Sequence, residues 1–148
     1  MLLNTNKTLD PQIEEWINED YPTNPYYREQ LTYNCPSGNM VRSKSETFID
    51  IVLCQKNIPF RYEYELKIGN NTFYPDFTIM HPISKEIIYW EHLGKMDNPE
   101  YFRKALAKIK VYHDNGIFAG QNLILTFESK THPFTYNEAE AALVQMNL

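Results

Sequence analysis

Cysteine is scarce in this chain, and its basic residues are outnumbered by acidic ones. Only two cysteines occur in 148 residues, Cys35 and Cys54. Neither belongs to a C-x-x-C pair, which excludes a disulfide framework and a thiolate metal site of regular spacing. Combining them with His81, His92, His113 or His132 yields no zinc-ligand spacing either. Both are expected to be reduced thiols, with Cys54 a small core residue. No apolar run approaches the length of a membrane span, and the opening MLLNTNKTLD has neither the basic start nor the apolar stretch of a secretion signal. A cytoplasmic protein with no membrane partner is therefore expected. Lys and Arg number 14 against 19 Asp and Glu, a net charge of −5. That deficit argues against tight non-specific binding of nucleic acid, which is driven by Lys and Arg. It does not exclude a local basic strip such as Arg42 to Lys44, or a site whose chemistry requires clustered carboxylates.

What the chain does have is the composition of a folded globular protein, with 43% hydrophobic and 22% charged residues. Its 11 Tyr and 8 Phe suit half-buried strands and nucleic-acid surfaces alike. There are no internal repeats and no linker that would split the chain. Residues 1–40 are weakly periodic and rich in Asn, Pro and Tyr. They read as an N-terminal arm laid on the core, with one short helix from Pro11 to Asn18 behind the cap Asp10, and a turn at Pro36-Ser37-Gly38. The domain proper is expected over 41–148. A helix from about Lys44 to Lys56 starts at Ser43, with Glu46 three residues on as a capping box. It buries Phe48, Ile49, Val52 and Leu53, and Asn57 with Ile58-Pro59 ends it.

Alternation then takes over. Arg61 to Lys67 places Tyr62, Tyr64 and Leu66 on one face and Arg61, Glu63, Glu65 and Lys67 on the other. A turn at Gly69-Asn70-Asn71 pairs this strand with a second, Thr72 to Met80. A third strand spans Ile87 to Leu93. A helix follows, capped by Asn98, opened by Pro99 and closed by Asn115-Gly116. Asn122 to Phe127 is a fourth, buried strand, and Asn137 to Met146 a final amphipathic helix. Helices on the faces of a mixed central sheet make an α/β sandwich.

Two of these strands carry an acid inside an apolar run, Asp76 after Pro75 and Glu91 after Tyr89-Trp90. A carboxylate buried there must be paired, hydrogen-bonded or bound to a cation. Two on neighbouring strands suggest a shared divalent metal, most simply Mg²⁺; backbone N–H groups or lysines would satisfy them equally well. Pro75 gives no N–H to the ladder, so the second strand is open or bulged beside Asp76. By alternation Tyr89, Glu91 and Leu93 point one way, and Ile88, Trp90 and His92 the other. His92 is expected to be a packed, hydrogen-bonded residue that orients the turn at Gly94, with an accessory catalytic role as the alternative.

These residues, in this order, resemble the PD-(D/E)xK nuclease superfamily, the restriction-endonuclease-like proteins. The chain is closest to a branch of compact bacterial members with R-S-K-S-E, Y-P-D-F and W-E-H-x-G, present here as Arg42–Glu46, Tyr74–Phe77 and Trp90–Gly94. The resemblance covers roughly Val41 to Phe127. It implies an α-β-β-β-α-β core and Mg²⁺- (or Mn²⁺-) dependent cleavage of DNA phosphodiester bonds. Asp76 and Glu91 would hold the metal, with Glu46 as a further ligand, directly or through water. The resemblance leaves open single- or double-stranded DNA, and a homodimer or partner protein. A catalytically inactive nuclease-fold module that binds DNA or protein is the alternative, as is an interaction domain whose acids serve only caps and salt bridges.

One position departs from the pattern. The superfamily's lysine lies two residues after the acid, where this chain has Leu93. Related nucleases supply the lysine from the following helix. A helical projection centres that helix's core face on Phe102, Leu106, Ile109 and His113, with Lys108 just outside it, beside the border formed by Tyr101, Ala105 and Tyr112. Arg103 and Lys110 flank the other border. Lys108, lined by Tyr112 and Tyr101, is the first candidate, though a lysine there can also merely lay its stem along the core. Lys95 is the second. Glu63 either assists the site or pairs with Lys67.

Overall fold

The computed structural model describes residues 10–148. Asp10 accepts the Gln12 N–H and caps α1 (Pro11–Asn18), the helix expected there; residues 1–9 of the expected arm lie outside the described residues. A short hairpin follows, β1 (Tyr33–Asn34) against β2 (Met40–Val41). Its turn contains Gly38 at φ +94°, a left-handed conformation that favours glycine. Next come α2 (Lys44–Gln55), β3 (Phe60–Tyr62), β4 (Leu66–Ile68), β5 (Asn71–Phe73), β6 (Phe77–Met80) and β7 (Ile87–Leu93). The chain closes with α3 (Pro99–Asp114), β8 (Leu123–Phe127) and α4 (Tyr136–Gln145). No helix among the described residues is long and apolar enough to cross a membrane.

The central sheet has the order β3-β6-β7-β8, with β3, β6 and β7 antiparallel and β8 parallel to β7. It is a mixed sheet, and α3 is the crossover that parallel pairing of β7 and β8 demands. Helices cover both faces. On one, Val52 and Leu53 of α2 and Ala139 and Leu143 of α4 enclose Phe77, Ile79, Ile88, Trp90 and Ile124. On the other, Tyr112 of α3 packs with Ile117 and Leu123 against Tyr89, Phe73 and Leu125. Odd- and even-numbered residues of β7 thus reach different cores.

Three expectations need correction. The strands expected over Arg61–Lys67 and Thr72–Met80 are each broken. Their hairpin register persists, Tyr62 opposite Phe77 and Leu66 opposite Phe73, but the ladder opens between. Pro75 has no N–H to offer, and Glu63, across from the neighbouring Asp76, takes φ +50°. The kink at Glu63 also overturns the expected polar face: Arg61 and Glu63 are buried, not solvated. Finally, α3 is rotated from its expected orientation. Phe102 and Leu106 are 41% and 51% exposed, while Tyr101, Ala105, Lys108 and Tyr112 face inward. The sheet side of this helix is the tyrosine-lined stripe, where Tyr112 packs on Phe73 and Lys108 pairs with Glu91.

The segment from Trp16 to Tyr27 is held down by two arginines. Arg61 lies against the rings of Trp16, Tyr21 and Tyr64, 4.3–4.6 Å from their centroids, and donates to the Trp16 carbonyl at 2.7 Å. Arg42 donates to the carbonyls of Tyr26 and Tyr27. A desolvated cation over aromatic faces contributes about 2 kcal/mol. Arg61→Ala is therefore expected to lower stability by about 2–4 kcal/mol and to expose the 16–27 segment to limited proteolysis. Denaturant melts with peptide mapping would show this, and an unchanged midpoint would refute the clamp.

Candidate active site

Asp76 and Glu91 sit where β6 and β7 part, immediately beyond the last ladder pair, Phe77 with Trp90. With the ladder open at Pro75, the Asp76 N–H has no strand partner and donates to Glu91 Oε1 at 3.1 Å. The His92 N–H in turn donates to Asp76 Oδ2 at 2.7 Å. Each acid is thus held by the backbone next to the other. Burial raises the Asp76 pKa well above its ordinary value, and the charges of Glu91 and Glu46 add to that. Lys108 and the His92 N–H act in the opposite sense.

Lys108 comes down from α3 onto this pair. Its ammonium contacts Glu91 Oε2, with 32% of the lysine side chain and 2% of the glutamate side chain exposed. Burial works against the lysine's charge, but Glu91 and Asp76 outweigh it and hold its pKa above the ordinary value. Around the pair stand two tyrosines. Tyr101 Oη accepts the Gly94 N–H at 3.1 Å. Tyr112 is fully buried and its hydroxyl has no hydrogen-bond partner among the described residues. Burial raises the pKa of both, and Glu91 and Asp76 add to the effect.

Glu46 lies at the start of α2, and its cap is half of the expected box. Ser43 Oγ accepts the Glu46 N–H at 3.2 Å, but the Glu46 carboxylate turns to the Arg42 N–H at 3.1 Å instead of that of Ser43. It also accepts from Tyr62 Oη at 3.2 Å and Ser43 Oγ at 3.3 Å. Burial and the nearby Glu63 charge push its pKa up to about 7, against those hydrogen bonds. Glu63 is ion-paired to Arg42 at 2.6 Å; Lys67 pairs with Glu65 instead. Among the described residues no group of three or more His, Cys, Asp and Glu side chains gathers closely enough to hold a metal ion. Glu46 is electrostatically linked to Asp76 but is not its immediate neighbour.

The remaining candidates lie elsewhere. No ion pair joins Lys95 or Arg103 to either acid among the described residues; Lys95 lines a separate cleft of about 660 Å³ with Asp97, Pro99, Glu128 and Lys130. His92 points through the sheet to the α2–α4 side. There Nδ1 meets Thr126 Oγ1 at 2.8 Å and Nε2 meets Glu128 Oε1 at 2.7 Å. Thr126 also accepts from Trp90 Nε1, and Glu128 from Ser45 Oγ. Burial lowers the His92 pKa. For Glu128, burial is outweighed by the hydrogen bonds from Ser45 and His92, and its pKa falls below the ordinary value. Glu128, Thr126 and Ser45 escaped the sequence reasoning. The signal for them is the β7–β8 register: once Leu93 opposes Phe127, residues 126 and 128 must flank His92.

Glu46 makes a test of this electrostatics. In the unfolded chain its pKa is about 4.5, and in the folded protein about 7, so folding favours the protonated form. The stability this contributes is present below about pH 4.5 and disappears as pH rises through 7. Relative to Glu46→Gln, wild type is expected to lose on the order of 2–3 kcal/mol between those limits. Urea melts of both proteins across that range measure it, and a constant difference would contradict the assignment. Compared with family models, with curated proteins and with solved structures, this chain has no match.

Proposed function

We propose that this protein is a metal-dependent nuclease of the PD-(D/E)xK type, with a restriction-endonuclease-like core, that hydrolyses DNA phosphodiester bonds. One observation carries the proposal: Lys108 of α3 reaches the Glu91 carboxylate beside Asp76, which supports assigning to it the role that Leu93 cannot play. The donor set suits a hard cation. Asp76 and Glu91 offer carboxylate oxygens from adjacent strands, and burial, with the Glu91 charge adding to it, already disfavours the charged form of Asp76, a penalty that a divalent ion would relieve. Asp76 and Glu91 would hold Mg²⁺, with Glu46 acting through water, since Mg²⁺ takes few carboxylates and keeps several waters. Bound there, the ion supplies Lewis acidity toward the phosphate and a lowered pKa for its water.

The chain's own residues supply the rest. The His92 N–H fixes the Asp76 carboxylate, and the Asp76 N–H fixes that of Glu91, so both acids are oriented before substrate arrives. Lys108, held cationic by them, carries a positive charge to the point where negative charge grows on the phosphoryl oxygens. A binding module without catalysis is the competing reading. It is favoured by the Glu46 carboxylate, which is already engaged with Arg42, Ser43 and Tyr62.

Mg²⁺ or Mn²⁺ is expected to raise the melting temperature of the wild type, and Asp76→Asn to abolish the gain. On single-stranded and duplex DNA with Mg²⁺, Lys108→Met should cut the cleavage rate by about 10²–10³-fold, the usual loss for a charge-stabilising donor. A wild type that neither responds to metal nor cuts either DNA ends the nuclease proposal. Salt-sensitive binding without cleavage would establish the module instead.

A further inference from the structure

Beside Lys108, on its solvent side, α3 and the end of β7 enclose a depression of about 270 Å³, lined by Leu93, Tyr101, Lys104, Ala105 and Lys108. We propose that it is a phosphate-binding site in which the Tyr101 hydroxyl and the Lys108 ammonium donate together to one oxyanion, a phosphate of the substrate strand. The identity of that ligand rests on the nuclease proposal; the anion site itself does not.

The donors argue for it. A phenol can accept and donate at once, and Tyr101 Oη already accepts from Gly94. That bond orients the oxygen and leaves its hydrogen unspent. An ammonium has three N–H bonds. Lys108 gives one to Glu91, and its side chain, 32% exposed, lines the depression, which leaves its other N–H bonds for a ligand there. No carboxylate lines this space. Lys104 stands at its rim, 78% exposed and only loosely drawn to Glu100 at 3.8 Å, and adds positive potential at the entrance. The floor is Leu93 and Ala105, both buried. An apolar floor lowers the local dielectric and strengthens hydrogen bonds made above it. Leu93 thus acquires a positive reason to be there: a lysine at this position would fill the space it now leaves for the anion.

The experiment is a titration of inorganic phosphate into the ¹⁵N-labelled protein, without metal and at ionic strength held constant with chloride. Saturable shifts of the Gly94, Tyr101, Ala105 and Lys108 amides are expected. Tyr101→Phe keeps the ring and removes the donor, and should weaken phosphate binding by about tenfold or more, as loss of one hydrogen bond to a charged group does. Lys104→Gln, on a position 78% exposed, should weaken it as well. The site is overturned if no amide shifts saturably, if the shifts centre on Lys95 and Lys130 instead, or if both variants bind phosphate as wild type does. DNA cleavage by a protein that fails this titration would sink the phosphate site and leave the nuclease standing. Phosphate bound at Tyr101 in a protein that cuts no DNA would do the reverse.

Discussion

Withdrawing a carboxylate from water costs several kcal/mol unless charge and hydrogen bonds replace the lost hydration, and this chain withdraws two side by side. Much of its local architecture follows from that cost. The ladder between β3–β4 and β5–β6 opens at Glu63 and Pro75, which frees the Asp76 N–H to serve Glu91. The helix α3 turns its tyrosine stripe inward and not its Phe102–Leu106 edge, which brings Lys108 to the acids. Removing either device would leave a buried charge uncompensated, so the rotation of a whole helix is tied to one ion pair.

The two faces of β7 divide the labour. Glu91 looks toward α3 and a cluster in which two buried acids share one lysine. His92 looks the other way into a saturated one, where Thr126, Glu128, Ser45 and Trp90 satisfy one another. Yet His92 also gives its backbone N–H to Asp76. Its ring is anchored from the far side of the sheet while its peptide positions the acid on the near side, so the quiet network holds the charged one in register.

Much of the fold was legible in the sequence, where the signals were local. Asp10-Pro11, Ser43, Asn98-Pro99 and the alternation of Ile87–Leu93 mark elements that the structure contains almost to the residue. Local signals failed where a distant partner decided. Arg61 and Glu63 look solvent-facing in an alternating strand, yet Trp16 and Tyr21 bury the first and Arg42 neutralises the second. Phe102 and Leu106 look like core on a helical projection, which weighs hydrophobicity but cannot see that the groove opposite carries two carboxylates. The acids themselves were legible because an acid in an apolar strand is conspicuous. Glu128 was not, since one glutamate after a strand end is unremarkable until parallel pairing places it on a histidine.

The contacts that build the site span very different lengths of chain. Those that bring Asp76 and Glu91 together link residues only 15 and 16 apart, the scale of a hairpin, whereas the His92 side closes through Glu128 to Ser45 across 83 residues. Closing a loop costs entropy that grows with its length, so the hairpin contacts are the cheaper to form early. An early hairpin, however, sets two like charges against each other with Lys108 still undocked. The strands gain by waiting for α3, and α3 has its charged partner only once the strands are paired. Like-charge repulsion at the site thus penalises the half-formed sheet and makes hairpin and helix fold as one cooperative unit.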